Sequence, residues 1–148
     1  DDKKILMGDA RLVMETQEPQ NYDLISVDAF SSDAIPIHLL TREAVELYFK
    51  HLKPHGVLAL HISNRYLDLH PVCAAAAEFM KRPATVVSDE GDGSSYLNSS
   101  TWVLVTNDAS LLSSPPFEGA NTWQAKVPAG FRSWNDDYSN IVQILSLQ

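Results

Sequence analysis

The sequence predicts an α/β fold, a mainly parallel sheet with helices on its faces. Apolar runs of strand length alternate with stretches whose apolar residues recur every three or four positions. Prolines, glycines and small polar residues mark the boundaries between them. The chain has 148 residues, 45% hydrophobic and 20% charged, which is the size and balance of one domain with a core of its own. Neither an internal repeat nor a linker divides it.

Taken in order, "KKILMGDA" (3–10) reads as a strand and then a turn. "YDLISVDAF" (22–30) reads the same way, with Leu24 to Val27 apolar or small, as in a strand covered on both faces. "LLTREAVELYFKHLKPHG" (39–56) is helical. Leu40, Ala44, Leu47, Tyr48 and Leu52 share one face, Thr41 caps the start, and Pro54 with Gly56 end it. "GVLALHIS" (56–63) is the next strand. A second helix follows the pair Asp68 and Pro71, suited to a cap and a first turn, and runs through "VCAAAAEFMK".

"ATVVSD" (84–89) and "TWVLVTND" (101–108) are two further strands, separated by the turn-rich "EGDGSSYLNSS", which carries one aromatic, Tyr96. From Ala109 to Ser133 the pattern weakens, interrupted by Pro115, Pro116, Pro128 and Gly130. Helical spacing returns at Tyr138, Ile141, Val142 and Leu145, with Asp136 or Asp137 placed to cap it.

The net charge is −8 and the 11 lysines and arginines are scattered, which argues against a protein that tracks nucleic-acid phosphates. Small cationic or neutral partners suit it better, although acidic surfaces also serve solubility alone. The single cysteine, Cys73, has no internal disulfide partner and fits a reducing, cytoplasmic setting. No apolar run approaches the roughly 18 residues of a membrane span, so no membrane contact is expected of this segment.

In open α/β sheets, ligands gather at the carboxyl ends of the strands. Asp9, Asp28, Asp33, His61 to Asn64, Asp89 and Tyr96 all fall at such ends or in the loops that leave them. Aspartates there also act as turn and helix caps, and Ser31, Ser32 and Asp33 before a helix fit capping chemistry by themselves. His61 ends a strand beside the same crevice, either touching substrate or sitting as a satisfied, half-buried ring. His51 and His55 have a metal-pair spacing, but Pro54 breaks the helix between them, so no metal site is expected. Ser31 and Ser32 lack the glycines of a nucleophile elbow. "GDG" (91–93) is turn chemistry.

Five stretches together resemble the spermidine synthase-like proteins, aminopropyltransferases on a Rossmann-like, methyltransferase-type fold. They are "GDARLVM", "YDLISVDAFSSDAIP" with the following "LLTREAVELYF", "LKPHGVLALHISN", "SSYLNSSTWVLV" and "WNDDYSNI". They occur in order over most of the chain. The wording of the helix and of "HISNRYLDL" is similar to the bacterial branch, some of whose members carry a membrane portion upstream.

The resemblance implies transfer of an aminopropyl group from decarboxylated S-adenosylmethionine to a polyamine acceptor. By the same resemblance, Asp9 accepts from the adenine amino group, with the backbone of Ala10 against the ring. Asp28 deprotonates or orients the attacking amine, Asp33 is the second acid of that loop, and Tyr96 lines the amine channel. Two more positions separate Asp28 from Asp33 than the family pattern has. His61 stands where relatives more often place a glutamine or another polar group.

Such chemistry suits an acidic loop, because both reactants are cationic. One carboxylate takes a proton while another holds the remaining ammonium. Two alternatives stay open: methyl transfer from intact S-adenosylmethionine, and a non-catalytic interaction or assembly domain.

The family's glycine-rich turn and ribose-binding acid lie before "DDKKILMGDA" and are not in this sequence. The chain is therefore expected to correspond to the carboxyl-terminal portion of the catalytic domain, starting at its third strand, with weak cofactor binding and little or no turnover alone. The segment 4–8 is expected to shift, to be poorly ordered, or to pair with another copy that covers an exposed sheet edge, giving a homo-oligomer.

Overall fold

The structure, a computed structural model, describes residues 4–28, 36–91, 99–117 and 121–146. Among them are five strands, β1 (Tyr22–Val27), β2 (Leu52–His61), β3 (Ala84–Asp89), β4 (Ser100–Thr106) and β5 (Asn121–Gln124), in one sheet of order β1-β2-β4-β3-β5. Three α-helices accompany them, α1 (Ala10–Glu15), α2 (Arg42–His51) and α3 (His70–Phe79).

β1 and β2 are parallel, and β4 runs antiparallel to both β2 and β3. It follows that β1, β2 and β3 point the same way and end at a common edge of the sheet. β5 runs antiparallel to β3. The sheet is thus mixed, with one parallel pair, where a mainly parallel one was expected. Apolar runs reveal strands but carry no record of their direction.

Strand alternation divides the sheet into two faces. Leu58, Leu60, Val86, Val103 and Val105 are fully buried and lie side by side across β2, β4 and β3. Helices α2 and α3 pack on each other and on these strands, supplying Val45, Tyr48, Val72, Cys73 and Ala76 to the same core. Each such aliphatic side chain contributes about 1.5–3 kcal/mol by leaving water. The residues between, Ala59, His61, Trp102 and Leu104, belong to the opposite face.

Helix α2 begins as the sequence predicts, with Thr41 accepting the Ala44 backbone N–H. It ends at His51, earlier than expected, because Pro54 and Gly56 already lie in β2. Helix α3 follows Asp68, whose carboxylate accepts the His70 N–H, and Pro71 occupies its first turn.

Three other expectations are corrected. Residues 4–8 form no strand; they run exposed, with Ile5 and Met7 more than four-fifths accessible, through a bend at Gly8 into α1, which Asp9 caps. These residues pair with no strand among those described, so their apolar character is not spent on a sheet. β1 is an edge strand with a single described neighbour, so Tyr22 and Leu24 are exposed, and Ile25 and Val27 are its residues packed on the core.

The tail forms only a 3-10 turn at Ile141–Ile144, capped by Asn140, while Asp136 serves an ion pair instead of a helix cap. Here tertiary bonds compete with the helix. The Asp68 N–H donates to the Ile144 carbonyl and the Ser146 N–H to that of Tyr66, drawing the segment out along residues 66–68. Among the described residues no helix is long and apolar enough to cross a membrane.

Candidate functional site

The register of the parallel pair sets the site. Val27 lies opposite Leu60, so the residues that follow, Asp28 and His61, emerge side by side at the common edge. His61 Nδ1 and Asp28 Oδ1 are 2.6 Å apart. On the other side of the ring, His61 Nε2 is 2.8 Å from Ser63 Oγ. That hydroxyl oxygen accepts the Thr101 backbone N–H at 2.7 Å, and the Ile62 N–H donates to the Thr101 carbonyl at 2.8 Å.

Trp102 stands opposite His61 in the β2–β4 ladder, and the two rings stack with centroids 4.6 Å apart and planes 23° from parallel. The imidazole is thus held at both nitrogens and over one face. Its side chain is 21% exposed while that of Asp28 is 58% exposed, so the carboxylate is the part of the pair offered to solvent.

A second network surrounds Asp9. One oxygen accepts the Leu12 N–H at 3.0 Å, and the other lies 2.7 Å from His38 Nε2. The Leu12 bond and then His38 hold this carboxyl below its ordinary value. Ala10 is the first residue of α1. Beside them Arg11 reaches the His38 carbonyl, Thr41 and both oxygens of Asp136, along a cleft of about 670 Å³. A second cleft, of about 640 Å³, is lined by Ser63, Asn64, Asp68, Thr101 and Trp123.

Of the residues singled out in the sequence, the structure joins Asp28 to His61 and Asp9 to His38, while Ala10 only opens α1. Asp33 and Tyr96 lie outside the described residues. Asp89 accepts the Gly91 N–H, and Gly91 has φ +70°; the rest of "GDG" lies outside the described residues. His51 is buried, whereas His55 is exposed and faces Asp108 at 3.2 Å. No group of three or more His, Cys, Asp or Glu side chains able to hold a metal occurs among the described residues.

Thr101 and Trp102 were not anticipated as site residues, and Ser63 was covered only by the stretch His61 to Asn64. Ser63 was within reach of the sequence, two places beyond His61 at the end of the same strand. Thr101 and Trp102 were not, because only the strand order brings β4 next to β2.

No family model and no curated protein matches the sequence. Among solved structures, the chain is similar to a probable spermidine synthase from Corynebacterium glutamicum, with TM-score 0.68 and 19% identity over 92% of this chain and 55% of that one. It also matches MnmC2 from Aquifex aeolicus, with TM-score 0.49 and 20% identity over 72% of this chain and 30% of that one. The chain thus spans about half the length of the first. Its five-stranded mixed sheet and flanking helices form a methyltransferase-like α/β fold, shared with a probable spermidine synthase over most of this sequence.

Proposed function

We propose that this chain carries the amine side of an aminopropyl transfer from decarboxylated S-adenosylmethionine to a polyamine acceptor, with Asp28 as proton acceptor. The observation that carries this reading is the exposed Asp28 carboxylate at the end of β1, one oxygen held by His61. Its other oxygen has no hydrogen-bond partner among the described residues.

The donor supplies a sulfonium whose adjacent carbon is open to displacement. As the amine nitrogen bonds that carbon, the carbon–sulfur bond breaks and sulfur leaves with the electron pair as a neutral thioether. The proton lost by the amine passes to Asp28. A carboxylate here also lowers the energy of the cationic amine as it arrives. Each carboxylate oxygen has two lone-pair sites, so Asp9 keeps acceptor capacity for an adenine amino group while bound to Leu12 and His38. The roles of Asp33 and Tyr96 rest on the family resemblance.

The test is an assay of this chain within the longest protein that carries it, with decarboxylated S-adenosylmethionine and a panel of diamines, following the aminopropylated amine by mass spectrometry. Asp28→Asn is expected to lower kcat by about 10²- to 10⁴-fold. Full activity in that variant would remove Asp28 from the chemistry. A methylated product from intact S-adenosylmethionine, with none from the decarboxylated donor, would replace aminopropyl by methyl transfer.

A further inference from the structure

We propose that His61 is a positioning residue for Asp28, locked in the tautomer with hydrogen on Nδ1 by Ser63 and Thr101, and that it does not bind the substrate. The functional half of this proposal rests on the reading of Asp28 as proton acceptor; the structural half does not.

The direction of each bond follows from what each atom is able to do. An ionised carboxylate only accepts, so across the 2.6 Å contact His61 Nδ1–H donates to Asp28 Oδ1. Nε2 of the neutral ring is then an acceptor, 2.8 Å from the Ser63 hydroxyl, which donates to it. Ser63 Oγ has a lone pair left for the Thr101 N–H at 2.7 Å. The backbone amide only donates and so anchors Ser63 Oγ, while Asp28 at the other end sets the direction of the bonds through the neutral ring. Trp102 stacked on the ring opposes a flip that would exchange the nitrogens.

The consequence for chemistry lies in Asp28. With Oδ1 bound to His61, the carboxylate has one orientation, and its second oxygen is left for an amine. His61 has both nitrogens occupied, which leaves it no polar atom for substrate. Aspartate, histidine and serine in this order also occur in hydrolytic triads. Here Ser63 Oγ also accepts the Thr101 N–H, and we assign it the role of a relay that orients the imidazole.

Nitrogen-15 NMR of the histidine rings in the whole chain, with the His61 signals assigned through His61→Asn, tests the structural half without any activity. The expected result is a neutral His61 ring with hydrogen on Nδ1, reverting toward the mixture of free imidazole in Asp28→Asn and in Ser63→Ala. A ring with hydrogen on Nε2, or one already averaging in the unmutated chain, would overturn the proposal.

Kinetics with the diamine substrate test the functional half. His61→Ala is expected to lower kcat by about 10- to 100-fold with KM nearly unchanged, as loss of an outer-shell partner does. His61→Asn, which returns an N–H at the place of Nδ1, should recover most of it. A rise in KM at constant kcat would make His61 a substrate ligand and sink the positioning role. Covalent labelling of Ser63 by a fluorophosphonate would refute the relay. A fixed tautomer together with undiminished aminopropyl transfer in Asp28→Asn would count against the proposed function and leave the hydrogen-bond chain standing.

Discussion

Arg11 and Asp136, at opposite ends of the chain, form a two-point ion pair, with guanidinium nitrogens 2.7 and 2.5 Å from the two carboxylate oxygens. The same guanidinium donates to Thr41 Oγ1, the cap of α2, and that hydroxyl donates to Asp136. Three segments distant in sequence, the first helix, the start of α2 and the tail, are fastened at one point. Planar, two-point pairs of this kind combine strength with directional specificity.

The clamp predicts acid sensitivity. Arg11 holds the Asp136 carboxyl below its ordinary value of 3.8, with the Thr41 bond acting in the same direction. Folding therefore favours the ionised form. That contribution is complete above the ordinary value and is lost as pH falls through the lowered one. Asp136→Asn should lower Tm at neutral pH and flatten its decline below about pH 4, read by circular dichroism. An unchanged acid profile would show that the clamp contributes nothing to stability.

Gly56 of β2 lies close against Tyr22 of β1. A Cβ there would meet Leu52 Cδ2 at 2.9 Å and the Tyr22 carbonyl oxygen at 3.0 Å. The register shifts at this point, Tyr22 pairing with Leu52 and Leu24 with Val57. Because one obstacle is backbone, Gly56→Ala is expected to destabilise by about 1–3 kcal/mol, measured by urea unfolding. A neutral result would mean that the edge strand yields freely.

Buried Tyr48 donates its hydroxyl to the Leu39 carbonyl at 3.1 Å, tying α2 to the turn before it. Tyr48→Phe keeps the ring and leaves a buried acceptor short of a partner, at a cost of about 1–2 kcal/mol. Chemical denaturation with an unchanged m-value would assign the loss to the native state.

Cys73 lies 1% exposed in α3, and burial, with a smaller contribution from the Asp68 charge, pushes its thiol up to about 12. The thiolate is the reactive form, so a disulfide reagent should modify Cys73 only as fast as the protein opens. Labelling should accelerate in step with unfolding as urea is added. Rapid, urea-independent labelling would contradict the burial.

The elements that rest on local chemistry were legible in the sequence. Thr41 caps α2 because its hydroxyl meets an N–H three residues on, and the runs at 84–89 and 101–106 extend because β-branched and apolar residues crowd them. The candidate site was half legible: Asp28 and His61 each announced themselves as polar residues closing an apolar strand. Their contact was not, because it depends on β1 lying beside β2 in a register that places residue 28 next to residue 61.

Failures fell where neighbours outweigh periodicity. The tail has helical spacing, yet Asp68 and Tyr66 bind its backbone and Arg11 takes Asp136. Residues 4–8 have the composition of a strand and pair with none described. Sequence by itself determined the cap of α2, the apolar strands and an acid, Asp28, closing the second run, since caps and periodicity act within a few residues. Tertiary structure alone decided strand order, direction and the chain of bonds from Thr101 to Asp28, because each depends on which strand, distant in sequence, lies alongside.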